Sequence, residues 1–253
     1  SSCQPDDPMC CNYDTPLIVH EDVIIPLDDG SQIHGWWMPS RNGSTRTLLY
    51  HHGSSSNIAV SYRQPRYQFL TQEVGLNVFV YDYPGYGKST GKSSEKSVLE
   101  SARAAQNWVL KKQKIATTDL FVLGRSMGTG VAVTLAQESE VTGGFKGLVL
   151  QSAFTSYKAA AAVGLPVYGW AVSLVWAPNF NSLAKMPDVK SCLYQYHSEK
   201  DEWVPYSMGQ EVWRAKGSPS DCSEFISNDS ALHDDAMTQE EKQSLTLWFS
   251  RRQ

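Results

Sequence analysis

The sequence predicts an α/β fold, with a mostly parallel central sheet and helices on both faces. Two observations predict it. Short apolar runs alternate with amphipathic stretches along the chain, the pattern of βαβ units. A serine flanked by glycines, Ser126, sits where one apolar run gives way to an Ala/Val-rich helical stretch. The 253 residues, 41% of them apolar, supply one large core, and no repeat, low-complexity tract or linker divides them. The expectation is one domain over 1–253, with an N-terminal Cys-containing extension over 1–16 and a short cap over 156–185 after the sixth strand.

The elements follow in order. Val23-Ile24-Ile25, the turn Asp28-Asp29-Gly30 and Gln32 to Met38 read as a hairpin. Thr47 to His51 is a buried strand running into the polar loop His52 to Asn57, and a helix through Tyr67, Phe69 and Leu70 follows. Asn77 to Tyr81 is the next strand. Ser94 to Lys112 is the clearest helix: Ser97 and Glu100 have capping-box spacing, and Val98, Ala102, Ala105, Trp108 and Val109 share a face. Strands at Asp119 to Gly124 and Phe145 to Leu150 bracket a helix from Gly128 to Glu138. After an irregular segment, 156–185, strand signals return at Cys192 to Tyr196 and Glu224 to Ile226, and helix 238–250 closes the chain.

Composition removes several function classes. Net charge is −4, which gives no electrostatic footing for nucleic acid or anionic membranes. The most apolar stretch, Ala159 to Ala177, is broken by Gly164, Pro166 and Gly169 and does not read as a transmembrane span. The five cysteines allow two readings. One is buried free thiols in a cytosolic enzyme. The other is an exported protein with disulfides, Cys192 and Cys222 lying near the starts of consecutive late strands where they would meet. The start without Met reads as though a leader had been removed, and Ser1-Ser2-Cys3 fits a lipoprotein processing remnant with Cys3 lipidated. Export (periplasmic, secreted or lipid-anchored) is placed ahead of a cytosolic location.

The chemistry centres on Gly124-Arg125-Ser126-Met127-Gly128. A Gly-x-Ser-x-Gly string also occurs in plain Gly-rich turns, but a strand before it and a helix after it select a nucleophile elbow. There the serine takes a strained backbone on a tight turn, and flanking Cβ atoms would collide with the neighbouring helix and strand. A serine needs a base, and in this arrangement the acid and then the histidine follow in sequence. His233, in the loop after the last strand, is the expected base. Asp201, just beyond the preceding strand, is the expected acid; Glu199, Glu202 and Asp229 are the alternatives, while Asp234 and Asp235 adjoin the histidine too closely. The oxyanion hole should use the N–H groups of Met127 and Ser54.

Other motifs fail their tests. Gly85-Tyr86-Gly87-Lys88-Ser89 lacks the earlier glycine of a phosphate loop, because Asp82 stands there. The cysteines lack zinc-ligand spacing with histidine, and His51 and His52 cannot point the same way on a strand. No cofactor and no metal is expected.

Four segments, Leu49 to Gly53, Tyr81 to Ser89, Gly124 to Gly128 and His197 to Pro205, fall in an order that resembles α/β hydrolases. The similarity spans about residues 20–250 and is closest to the ABHD13-like or Bem46-like branch, with its depalmitoylase-type and esterase-type members. The resemblance implies the α/β-hydrolase fold and the triad Ser126, Asp201 and His233. It also implies a supporting turn at Tyr83 to Ser89, and Phe180-Asn181-Ser182 resembles the segment that precedes the acid-bearing strand. Two positions depart from the family pattern: Ser54 stands where family members usually have Asn, and His233-Asp234-Asp235 replaces His-Asn-Asp.

The expected activity is hydrolysis of a small-molecule carboxylic ester or thioester through an acyl-enzyme. A peptidase or amidase on the same triad, and a non-catalytic binding module of the same fold, are the alternatives. The apolar cap residues Leu165, Val167, Tyr168, Trp170, Leu174, Val175 and Trp176 either roof an acyl pocket or simply pack the cap onto the core.

Overall fold

The computed structural model describes residue 13 and residues 18–164, 179–217 and 222–252. Eight strands form one sheet: β1 (Glu21–Pro26), β2 (Gln32–Met38), β3 (Thr47–His51), β4 (Asn77–Tyr81), β5 (Leu120–Arg125), β6 (Gly147–Gln151), β7 (Leu193–Ser198) and β8 (Glu224–Asn228). Their order is β1-β2-β4-β3-β5-β6-β7-β8. Strand β2 runs antiparallel to both neighbours, and every other pairing is parallel. This is the predicted architecture, and the family comparison below agrees with it.

The sheet forms because its central strands bury both faces. Alternate residues of β3 to β6 feed two cores. On one side Leu49, Phe79, Val122 and Leu150 pack under helices α2 (Glu95–Gln113) and α3 (Met127–Ser139). On the other, Tyr50, Val80, Phe121 and Val149 meet Tyr67, Leu245, Trp248 and Phe249. These last side chains come from α1 (Gln64–Gln68) and α7 (Gln239–Ser250). Truncating a ring as deeply buried as Trp248 to Ala would cost about 3–5 kcal/mol.

Three local differences from the sequence expectation have physical causes. The cap of α2 is Ser94 rather than Ser97: Ser94 Oγ accepts the Ser97 N–H at 3.1 Å, and Ser97 Oγ accepts the Ser94 N–H at 2.9 Å. The serine at the third helical position thus takes the reciprocal role that a Glu usually fills. The helix after β3 is composite, a 3₁₀ turn at Ser61–Arg63, then α1, then a π turn at Phe69–Glu73. Its widened end is closed by Val74 N–H donating to the Phe69 carbonyl at 3.0 Å, while Thr71 Oγ1 donates to Tyr67 O. Parts of the segment read as irregular are helical: α4 (Tyr157–Gly164) and α5 (Ser182–Lys185).

The seven apolar cap residues between Leu165 and Trp176 lie outside the described residues, as do Cys3, Cys10 and Cys11. Cys192 and Cys222 form a disulfide with their Cα atoms 5.4 Å apart, just before β7 and β8. No described helix is long and apolar enough to cross a membrane. Helix α6 (Tyr206–Ala215) covers the β7 side of the sheet. Loops leaving the carboxyl ends of parallel strands gather at one edge, where an open α/β sheet places its crevice. Those after β3, β5, β7 and β8 carry the predicted site residues.

Candidate active site

Ser126 stands between β5 and α3 with φ 51° and ψ −122°, a conformation that L-residues rarely hold. The surroundings impose it. A Cβ at Gly124 would lie 2.3 Å from the Gly128 carbonyl oxygen, and one at Gly128 would lie 2.1 Å from that of His51. Only glycines let the strand, the turn and the helix approach this closely. The Ser126 N–H donates to Gln151 O at 2.9 Å, which ties the turn to β6. Met127 opens α3, so its N–H has no partner inside the helix and sits at the positive end of the helix dipole.

The structure brings His233 and Asp201 together. The His233 Nδ1 lies 2.9 and 2.8 Å from the two Asp201 carboxylate oxygens. The Asp201 side chain is fully buried, and its Oδ1 also accepts N–H groups from Trp203 at 3.0 Å and Val204 at 2.8 Å. Burial alone would raise this carboxyl. The hydrogen bond and charge of His233, with the Val204 N–H, outweigh it and hold the group at about 2. His197 lies behind Asp201: it bonds Val204 O through Nε2 at 2.9 Å and lies 3.6 Å from Asp201 Oδ2. Desolvation pushes its imidazole below the ordinary range, so it stays neutral.

Ser126 and His233 line one cavity of about 290 Å³ together with Ser54, Tyr157, Trp203 and Val204. No hydrogen bond joins the Ser126 hydroxyl to His233 among the described residues. The loop after β3 passes so close that a Cβ at Gly53 would lie 3.3 Å from Ser126 Cβ. Among the described residues the Ser54 N–H has no hydrogen-bond partner.

The three alternative acids, and the two aspartates beside His233, have other surroundings. Glu202 Oε2 accepts the His233 N–H at 2.9 Å, Asp234 pairs with Arg125, and Asp235 accepts the Leu232 N–H. Glu199 and Asp229 are exposed. Burial pushes His51 and His52 down to about 3, so both stay neutral in the core. Among the described residues no group of His, Cys, Asp and Glu is placed to hold a metal.

Three supporting residues were not legible as such. The buried Arg63 guanidinium donates to the carbonyls of Gly53, Ser55 and Asn57 and so ties the loop after β3 together. Arg125 reaches from the turn at Ser126 to the loop that carries His233. Asp82 Oδ1 accepts the Ile58 N–H at 2.9 Å and anchors the far end of the β3 loop. The Gly-Arg-Ser-Met-Gly spacing marks Arg125 as a neighbour of Ser126; nothing local marks Arg63.

A family model described as the alpha/beta hydrolase fold matches residues 46–241. The chain belongs to the α/β-hydrolase fold family. Within it, the α/β-hydrolase domain-containing protein WAV2 of Arabidopsis thaliana is 26% identical over 233 residues, covering 86% of this chain and 73% of WAV2. Protein bem46 of Schizosaccharomyces pombe is 30% identical over 163 residues, 64% of this chain and 53% of that protein. Among solved structures, the Pyrococcus furiosus esterase Pf2001 superposes with a TM-score of 0.77 at 23% identity, covering 93% of this chain and 91% of the esterase. This α/β hydrolase therefore stands near the Bem46 branch, as the sequence resemblance implied.

Proposed function

We propose that this α/β hydrolase is a single-domain serine hydrolase that cleaves carboxylic esters or thioesters through an acyl-enzyme. The observation that carries the reading is the cavity shared by Ser126 and His233, with the His233 Nδ1 bound to both oxygens of buried Asp201. Esterases among the structural neighbours agree with it.

In the first half-reaction His233 Nε2 takes the Ser126 hydroxyl proton as Oγ attacks the ester carbonyl. Asp201 holds the imidazole with its N–H on Nδ1 and stabilises the imidazolium that forms. Negative charge on the carbonyl oxygen falls to the Met127 and Ser54 N–H groups. The tetrahedral intermediate collapses, the alkoxide or thiolate leaves with the proton from His233, and Ser126 is acylated. Water then repeats the sequence, releasing the acid and restoring the Ser126 hydroxyl. Tyr157, Ala160 and Ala161 of α4, with Trp203, give the cavity an apolar wall suited to an acyl chain.

A fluorophosphonate probe tests the proposal, with covalent labelling expected for the native protein and absent in Ser126→Ala. A series of p-nitrophenyl esters beside an aminoacyl anilide ranks ester against amide cleavage. Labelling that persists in Ser126→Ala would refute the nucleophile, and faster anilide turnover would favour the peptidase reading. An unlabelled native protein that still binds acyl ligands would be the binding module.

A further inference from the structure

Beside the acyl cavity lies a second groove of about 180 Å³, and Arg125 and Asp234 form a wall common to both. Its charge is lopsided. Four cations, Arg63, Arg66, Arg125 and Lys242, face two carboxylates, Asp234 and Asp235. Arg125 and Asp234 satisfy each other at 2.9 Å. Arg63 spends its N–H groups on backbone carbonyls and keeps its charge. Neither Arg63, Arg66 nor Lys242 forms an ion pair among the described residues.

Arg66 is the most exacting of the three. A guanidinium carries five N–H donors. Among the described residues this one makes a single bond, from Nη1 to Tyr50 Oη at a long 3.4 Å, and its buried Nε has no partner. Water in the groove would satisfy the N–H groups but add no countercharge to the part that Glu241 supplies, whereas an anion does both. From the other side Arg66 faces a small polar cavity of about 20 Å³, lined also by Gln151, Tyr196 and Glu241 of α7. Burial raises the Glu241 carboxyl to about 7, so near neutral pH it supplies only part of one negative charge to Arg66. The neighbouring phenols of Tyr67, Tyr194 and Tyr196 are pushed upward by burial and stay neutral.

We propose that this groove is an anion subsite, centred on Arg66 and Lys242, and that preferred substrates carry an anionic group such as a carboxylate away from the scissile bond. The inference rests on the hydrolase reading above for its substrate and on the groove alone for its ligand. The anionic group belongs to either the acyl part or the leaving group, because the common wall adjoins the nucleophile's cavity without fixing which part crosses it.

Matched esters separate these sources. The acyl arm compares p-nitrophenyl hydrogen glutarate with its neutral methyl ester. The leaving-group arm compares 4-(butyryloxy)benzoate with its methyl ester. The native enzyme should prefer the anionic member of one pair. Lys242→Gln and Arg66→Gln should each lower kcat/KM for that member about tenfold while changing the neutral member less than twofold. Lys242→Glu, on a half-buried helical position, should reverse the preference and serves if Arg66→Gln fails to fold. Independently of turnover, calorimetry with free glutarate should show binding to the native protein that Lys242→Glu weakens. Neutral preference in both arms, an equal loss on both members of a pair, or no glutarate binding would overturn the subsite while leaving ester hydrolysis standing. Glutarate binding without turnover of any ester would instead uphold the subsite and refute the hydrolase reading.

Discussion

Arg125 Nη2 donates to the backbone oxygen of His233 and, at 2.9 Å, to Asp234 Oδ1, so the residue before Ser126 clamps the loop that carries His233. On the proposed mechanism, catalysis by Ser126 and His233 would depend on their mutual placement, and small misplacements are costly. Arg125→Met should therefore lower kcat by about 10- to 100-fold, with a smaller change in KM for a neutral ester. Steady-state kinetics with p-nitrophenyl butyrate check this. A KM effect with unchanged kcat would reduce Arg125 to a wall of the cavity.

Asp201→Asn replaces the acceptor for His233 Nδ1–H with a group that favours the wrong tautomer. Turnover should fall about 10⁴-fold. The same substitution alters acid stability. The Asp201 carboxyl is depressed from 3.8 to about 2 in the folded state. Its contribution is therefore full above pH about 4 and is lost as pH falls through about 2, amounting to about 2 kcal/mol. Denaturant melts across that window should show a steeper loss for the native protein than for Asp201→Asn.

Glu241 carries the opposite sign. Its folded carboxyl is raised from 4.5 to about 7, so its contribution is full below pH about 4.5 and is lost as pH rises through 7. The loss approaches about 3 kcal/mol at alkaline pH. Glu241→Gln, still able to accept from Gln151 Nε2, should flatten that decline. Unfolding free energies measured near pH 5 and near pH 9 provide the comparison.

Ser126→Gly should abolish labelling and also raise stability by about 1 kcal/mol, because glycine holds φ 51° without strain. Ser126→Ala abolishes labelling without that gain. Equal thermal midpoints for the two variants would show that the elbow stores no strain.

Much of this was legible because local patterns carried it. The hairpin declares itself through Asp28-Asp29-Gly30, and β3 ends at His51 as its apolar run does. Ser126 reads from its glycines, and Asp201 and His233 read from their places after successive late strands. What escaped was long-range or degenerate. Ser94-x-x-Ser97 and Ser97-x-x-Glu100 share one spacing, and the choice between them lay with a hydroxyl standing in for a carboxylate. Arg125 and the His233 carbonyl are 108 residues apart, so no window of sequence contains both. Glu241 sits in the first turn of a terminal helix, where an acidic residue reads as solvated dipole balance, yet tertiary packing buries it beneath Gln151.

The Cys192–Cys222 bridge fastens the two strands whose opposite ends lead to Asp201 and His233. It lies a full strand length from the reacting groups. Oxidising surroundings therefore make the framework more durable without entering the chemistry. Opening the bridge should therefore shorten the lifetime of the folded chain more than it alters the cavity around Ser126 and His233.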